Sequence, residues 1–185
     1  METAIYVLRA PEGFEWLQPF KSDDYDLLRF NGSPRASSWI PIRMKRLTHS
    51  EDGRRERPSD FPFGTNQLVL SARAHAALRD VLAAHGELLR LSERDGDEWW
   101  IFNCTRVIPA LDLDRAKLLR SPDDVNRILI IHEHAFHPGA VSASGAEIFR
   151  LAEQPFGKTY FTDRFVERVR LSGLVGLEFS LVGVS

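Results

Sequence analysis

The chain has 185 residues, 24 Lys and Arg against 26 Asp and Glu, and a hydrophobic content of 43%. Such a chain is an ordinary soluble globule, long enough to bury a core unaided within one domain or a domain with an appended arm. Its net charge of −2 gives no long-range field, which argues against a general nucleic-acid binder and equally against an acidic DNA mimic.

Ile5 to Arg9 predicts an opening strand, ended by Pro11 and Gly13. An irregular aromatic stretch follows through Phe14, Trp16 and Phe20, then a short strand over Asp26 to Phe30, stopped by Asn31-Gly32. Trp39-Ile-Pro41 reads as a short extended piece, because proline disfavours helix in the residue before it. Arg43 to Phe63 reads as an irregular loop, with Arg43, Lys45, Arg46, Arg54, Arg55 and Arg57 among Glu51, Asp52 and Glu56. A loop of that kind is either a solvated surface or a partner-contacting one.

Gln67 to Leu70 leads into the clearest helix, about residues 72–85. Ser71 is its cap, Ala74, Leu78, Val81 and Leu82 form its apolar face, and Gly86 closes it. Glu87 to Leu91 reads as a strand, Ser92 to Asp97 as a polar turn, and Glu98 to Asn103 as the second arm of a hairpin. Trp99 and Ile101 lie on one face of that arm and Trp100 and Phe102 on the other, so it predicts a central strand. Pro122 opens a turn, Ile128 to Phe136 reads as a strand, and Ala146 to Leu151 as a shorter one.

The last elements are a helix over about 163–172 and a closing strand. Thr162 is placed to cap the helix. Phe165, Val166 and Val169 form its apolar face, and Gly173 stands where a left-handed C-terminal residue is wanted. Leu177, Phe179 and Leu181 then alternate with Glu178 and Ser180, the period of a half-buried strand. Many short strands with two main helices predict an α+β fold, a single domain built on a mostly antiparallel sheet.

Residues that could carry chemistry are few. Ile131-His-Glu-His-Ala-Phe-His-Pro puts His132 and His134 on one face of a regular strand, beside Ile128 and Ile130, with His137 near the Pro138-Gly139 turn. No carboxylate is placed by sequence to complete a metal site, and strand-end histidines are the favoured reading. Asp112-x-Asp114 and Asp123-Asp124 lack the glycine and terminal glutamate of a calcium loop. No nucleophile elbow and no phosphate-cradling glycine loop occurs. The lone Cys104 reads as a small buried hydrophobe, and the lack of disulfides fits a reducing cytoplasm. Met1 to Ala10 lacks the pattern of a signal peptide, and no apolar run approaches the roughly 20 residues that span a bilayer. The residues therefore predict no enzyme, no cofactor and no metal.

The phrase Tyr160-x-Thr162-Asp163-x-Phe165-Val166, followed by Gly173-Leu-x-Gly176-Leu-Glu-Phe179, resembles the closing signature of a bacterial family. That family is the immunity protein eleven group, the MXAN-type immunity domain, long described as a domain of unknown function and found beside polymorphic toxins. Trp39-x-Pro41, Leu68-Val-Leu-Ser-x-Arg-Ala with Leu78, Gly86-Glu-Leu-Leu, Asn103 with Ala110-Leu-Asp, and Ile148-Phe occur in the order the family shows. The resemblance covers roughly residues 39–182 and implies a single immunity-type domain over 1–185, with an irregular N-terminal region at about 11–63. It also implies a cytoplasmic protein that binds and neutralises a cognate toxin domain encoded by an adjacent gene, by stoichiometric complex formation, with no membrane and no direct nucleic acid involved. The candidate contacts are Trp39, Arg43, Arg46, Arg54 and Arg55. Two other readings stay open: a small metal-dependent enzyme using His132, His134 and His137, and a protein-binding partner unconnected with toxins.

Overall fold

The computed structural model describes residues 2–62, 67–93 and 96–185. In chain order the strands and helices are β1 (Ala4–Arg9), β2 (Trp16–Pro19), α1 (Asp24–Leu27), β3 (Arg43–Leu47), β4 (Val69–Ser71), α2 (Ala72–Ala83), β5 (Gly86–Glu93) and β6 (Trp99–Cys104). There follow β7 (Val107–Ile108), β8 (Lys117–Arg120), β9 (Ile128–Glu133), α3 (Ala140–Ser144), β10 (Ile148–Leu151), β11 (Thr159–Thr162), α4 (Asp163–Leu171) and β12 (Glu178–Val184). The strands form one sheet in the order β12-β1-β11-β10-β7, a second in the order β2-β3-β5-β6-β4, and a separate β8-β9 ribbon. The fold is α+β, as the sequence predicts, and most of its pairings are antiparallel.

Alternation along the strands explains the layering. In the first sheet Ile5, Val7, Phe149 and Tyr160 face one way, toward Ile128 of the ribbon and Val141 of α3. Tyr6, Leu8, Ile148 and Phe161 face the other way and meet both long helices. Phe102 and Cys104 of β6 reach the same helices from the second sheet. Trp99 and Ile101 turn to that sheet's opposite face, where Leu28, Phe30 and Met44 cover them. With β5 and β4 on either side, β6 is the central strand its two apolar faces predict.

The two long helices form where periodicity places them. In α2, Ala74, Leu78 and Leu82 are buried and the Ser71 hydroxyl accepts from the Ala74 amide at 3.1 Å. In α4, Phe165, Val166 and Val169 are buried, and Gly173 beyond it has φ +67°. Phe165 stacks on Phe161, with ring centroids 5.1 Å apart, and meets Phe179 edge-on at 6.2 Å.

Several expectations need correction. Asp26 to Phe30 is not a strand: α1 turns the chain there, so that Leu28 and Phe30 both enter the core while Leu27 stays exposed. The aromatic stretch contains β2, with Leu17 fully buried, and the arginine-rich stretch begins with β3, with Met44 buried. These two strands pair antiparallel, and β3 also pairs parallel with β5. The end of that stretch at residue 63, and residues 94 and 95 of the polar turn, lie outside the described residues.

Helix α2 ends at Ala83, and Gly86 opens β5 instead of closing the helix. A Cβ at Gly86 would collide with the carbonyl oxygen of Asn103, so the glycine serves a close strand approach. Thr162 occupies the N-cap position of α4, but its hydroxyl donates to the Glu147 carbonyl at 3.3 Å and caps nothing. In β12 the register to β1 shifts between Ile5 and Tyr6, beyond Leu181; Leu181 stays in regular register opposite Tyr6, as Phe179 does opposite Leu8, yet it is 60% exposed, so alternation alone does not bury it.

Candidate functional site

Among the described residues one cleft encloses about 620 Å³. Five stretches far apart in sequence build it: Leu8 of β1, Tyr25 to Phe30 in and after α1, Gln67, Leu129 to His134 along and just past β9, and Gln154 to Tyr160 leading into β11. Phe30 and Tyr160, both fully buried, give it an aromatic floor. Tyr25, Leu129, Ile130 and Phe156 stand exposed around it, and the Phe156 ring is 65% exposed. Gln154 ties the walls together, its amide donating to the carbonyls of Leu129 at 3.2 Å and Ile128 at 3.4 Å.

One polar pair sits on the floor. His134 Nε2 lies 3.0 Å from the Tyr160 hydroxyl, and the imidazole is stacked on Phe136 at 5.8 Å. Burial lowers the His134 pKa, and the Lys158 ammonium lowers it further, so the ring is neutral near pH 7. Burial raises the Tyr160 pKa above the ordinary phenol range, with Glu153 adding to the rise, and keeps its proton in place. Neither group is activated as a nucleophile by this arrangement.

Beneath the floor lies a buried cation. Arg150 is completely inaccessible, on a β10 whose four residues are all buried. Its guanidinium donates to the carbonyls of Gly157 at 2.8 Å and Pro155 at 3.2 Å and to Gln67 Oε1 at 3.2 Å, and its Nε has no partner. Among the described residues no carboxylate lies in ion-pair range of it. Two of its acceptors, Gln67 and Gly157, themselves line the cleft. Arg29 and Lys158 stand in the walls. Among the described residues Asp26 is the one lining carboxylate, largely exposed and 3.7 Å from Arg29.

The residues nominated from sequence lie elsewhere and do not converge. Trp39 is half-buried against Phe30, and its indole Nε1 donates to the Arg90 carbonyl at 2.7 Å. Arg46 pairs with Asp97 and lies 5.2 Å over the Trp99 ring. Arg43 projects from the opposite face of β3, 4.5 Å over the Phe20 ring. Arg54 and Arg55 are exposed in the turn region after β3, where Arg54 reaches Glu56 at 3.6 Å and Arg55 bridges to His49 through its backbone.

The three histidines also separate. The β8-β9 register shifts twice, so the alternation that would put His132 and His134 with Ile128 and Ile130 on one face is broken. His132 is exposed, His134 turns into the cleft, and His137 Nδ1 lies 3.9 Å from Asp112 Oδ2. Among the described residues no group of three or more His, Cys, Asp or Glu is placed to hold a metal. Asp112 and Asp124 accept amides two or three residues on, as turn-forming residues do. Cys104 is fully buried and its thiol is pushed up to about 11 by burial.

Sequence reasoning missed the cleft, because its aromatics stand in short irregular segments and its buried arginine sits in an otherwise apolar strand. Among the described residues no helix is long and apolar enough to cross a membrane. No protein-family model matches the chain, and no curated protein is similar enough to match it.

Proposed function

We propose that this chain is an immunity protein that neutralises a cognate toxin by forming a stoichiometric complex with it. The observation that carries the reading is the ordered set of family-like phrases ending in Tyr160-x-Thr162-Asp163-x-Phe165-Val166. Those residues are fold-determining: Tyr160, Phe165 and Val166 are buried, and Thr162 ties β11 to the Glu147 carbonyl. A likeness in core residues speaks for a shared fold, and the function follows as the family's role. An open cleft with exposed aromatic and aliphatic side chains supports binding as the activity.

A specific complex of this kind buries about 1,200–2,000 Å² in total and draws most of its energy from a few anchors. The chain's small net charge means that shape and apolar anchors outweigh the bulk field, so binding survives moderate salt. The test is co-expression with the product of the adjacent gene, followed by co-purification and a growth-rescue assay. A complex and restored growth support the reading. No complex and no rescue overturn it.

A further inference from the structure

We propose that the cleft between α1, β9 and β11 is the seat of an acidic segment of the toxin, with its carboxylates at Arg29 and Lys158 and an apolar side chain against Tyr25 and Phe156. This rests on the immunity reading and adds to it a surface and the chemistry of the partner.

Charge is the first argument. Arg150 stays protonated in any folded protein. Three neutral acceptors satisfy most of its donors but leave its charge uncompensated, in surroundings where an unpaired ion is costly. Its field reaches the cleft through Gln67 and Gly157, which form part of the lining. Lys158 adds a second cation and makes no ion pair among the described residues, and Arg29 a third. Against them stand Asp26, already beside Arg29, and Glu153, whose field is felt at Tyr160 but which does not line the cleft. In a chain of net charge −2 three cations thus stand in or beneath one cleft that has, among the described residues, a single carboxylate in its lining, which favours an anionic occupant.

Size and rim decide what kind of anion. The volume of about 620 Å³ would admit a small molecule, since such sites run from about 300 to 1,000 Å³. A small anion would sit on the floor and leave Phe156, Ile130 and Leu129 in water. Those side chains are 65%, 48% and 41% exposed. An extended protein segment with carboxylates beside aromatic or aliphatic residues covers both the cations in the walls and the apolar rim. The Arg29 guanidinium, 5.9 Å from the Phe156 ring, already joins the two.

The experiment measures the affinity of the full chain for the adjacent-gene product by calorimetry, using exposed substitutions that leave the circular dichroism spectrum unchanged. The R29E/K158E pair and Phe156→Ala should each weaken binding about tenfold or more. Arg170→Glu, on the exposed side of α4, should leave it within about twofold. If R29E/K158E binds like the unaltered protein, the cleft is not the docking surface, and the immunity reading stands without it. If the unaltered protein binds no adjacent-gene product, the immunity reading falls. The chemistry of the cleft is then decided by a labelled Glu-Phe-Glu-Leu peptide and its Lys-Phe-Lys-Leu counterpart, followed by amide chemical shifts. Saturable shifts at Arg29, Lys158 and Tyr160 with the acidic peptide alone uphold the anionic preference. Equal shifts, or none, overturn it.

Discussion

Replacing Phe165 by alanine probes the joint on which both sheets depend. The side chain is completely buried on α4, stacked on Phe161 at 5.1 Å and edge-on to Phe179 at 6.2 Å. Truncating a buried phenylalanine costs about 3–5 kcal/mol, the upper end applying where neighbours cannot collapse into the cavity. Collapse is restricted here, because Phe161 is fixed in the β1-β11-β10 ladder and Phe179 in the β12 ladder. For a chain of this size each kcal/mol moves the melting temperature by about 2–4 °C, giving a fall of roughly 6–20 °C. The assay is thermal unfolding followed by circular dichroism, with urea unfolding for the free energy. Leu171→Ala on the same helix, at a side chain 79% exposed, should change stability by no more than about 0.5 kcal/mol. Should Phe165→Ala prevent folding, Phe165→Leu should fold with a smaller loss. A Phe165→Ala protein that melts like Leu171→Ala would refute the assignment of this face to the core.

Three further outcomes follow from individual contacts. The Glu87 carboxylate accepts from the amides of Arg35 and Ala36 and from Asn103 Nδ2, at 2.7, 3.1 and 2.9 Å. Burial works to raise its pKa, but these three bonds outweigh it and hold the value below 4.5. A depressed carboxylate stabilises the fold above its unfolded pKa and loses that contribution as pH falls through the folded value. Glu87→Gln should therefore be about 1 kcal/mol less stable than the unaltered protein at pH 7, and the gap should close below pH 4 in urea titrations; a gap independent of pH would contradict this. Gly86→Ala should cost about 1–3 kcal/mol through its collision with the Asn103 carbonyl, and unchanged urea unfolding would show that the strands have room. Neutral His134, its pKa depressed below 6.5 mainly by burial, contributes stability above pH 6.5 that fades as pH falls toward the folded value. His134→Gln should flatten that part of the stability profile, and an equal fall in both proteins would assign it to other groups.

What could be read from sequence was whatever repeats with a clear period. Ala74, Leu78 and Leu82 at helical spacing, Trp99 to Phe102 with two apolar faces, and Phe165, Val166 and Val169 all lie where their pattern places them. Short elements escaped, because their patterns are too brief to show. The strand Arg43–Leu47 buries only Met44 and presents arginines on both sides, so its composition is that of a loop. The turn Asp24–Leu27 buries nothing itself, yet it delivers Leu28 and Phe30 to the core. Register shifts were equally invisible. Two in the β8-β9 ribbon divide the histidines, and one between β1 and β12 skips Val182. The cleft combines two of these features, the Asp24–Leu27 turn and the irregular β9 strand. Its walls come from five segments, and the buried Arg150 beneath it occupies a strand position that alternation alone cannot distinguish from a surface arginine.

Titrating the purified protein into a fixed amount of the adjacent gene's product, with the toxic activity proposed for that product as the readout, addresses the central claim most directly. Neutralisation by binding predicts inhibition that rises linearly and becomes complete at one molecule per toxin, alongside a one-to-one complex in light scattering. Full inhibition far below equivalence would contradict the binding mechanism and indicate turnover. Undiminished toxic activity at an excess of this chain would contradict the immunity reading itself.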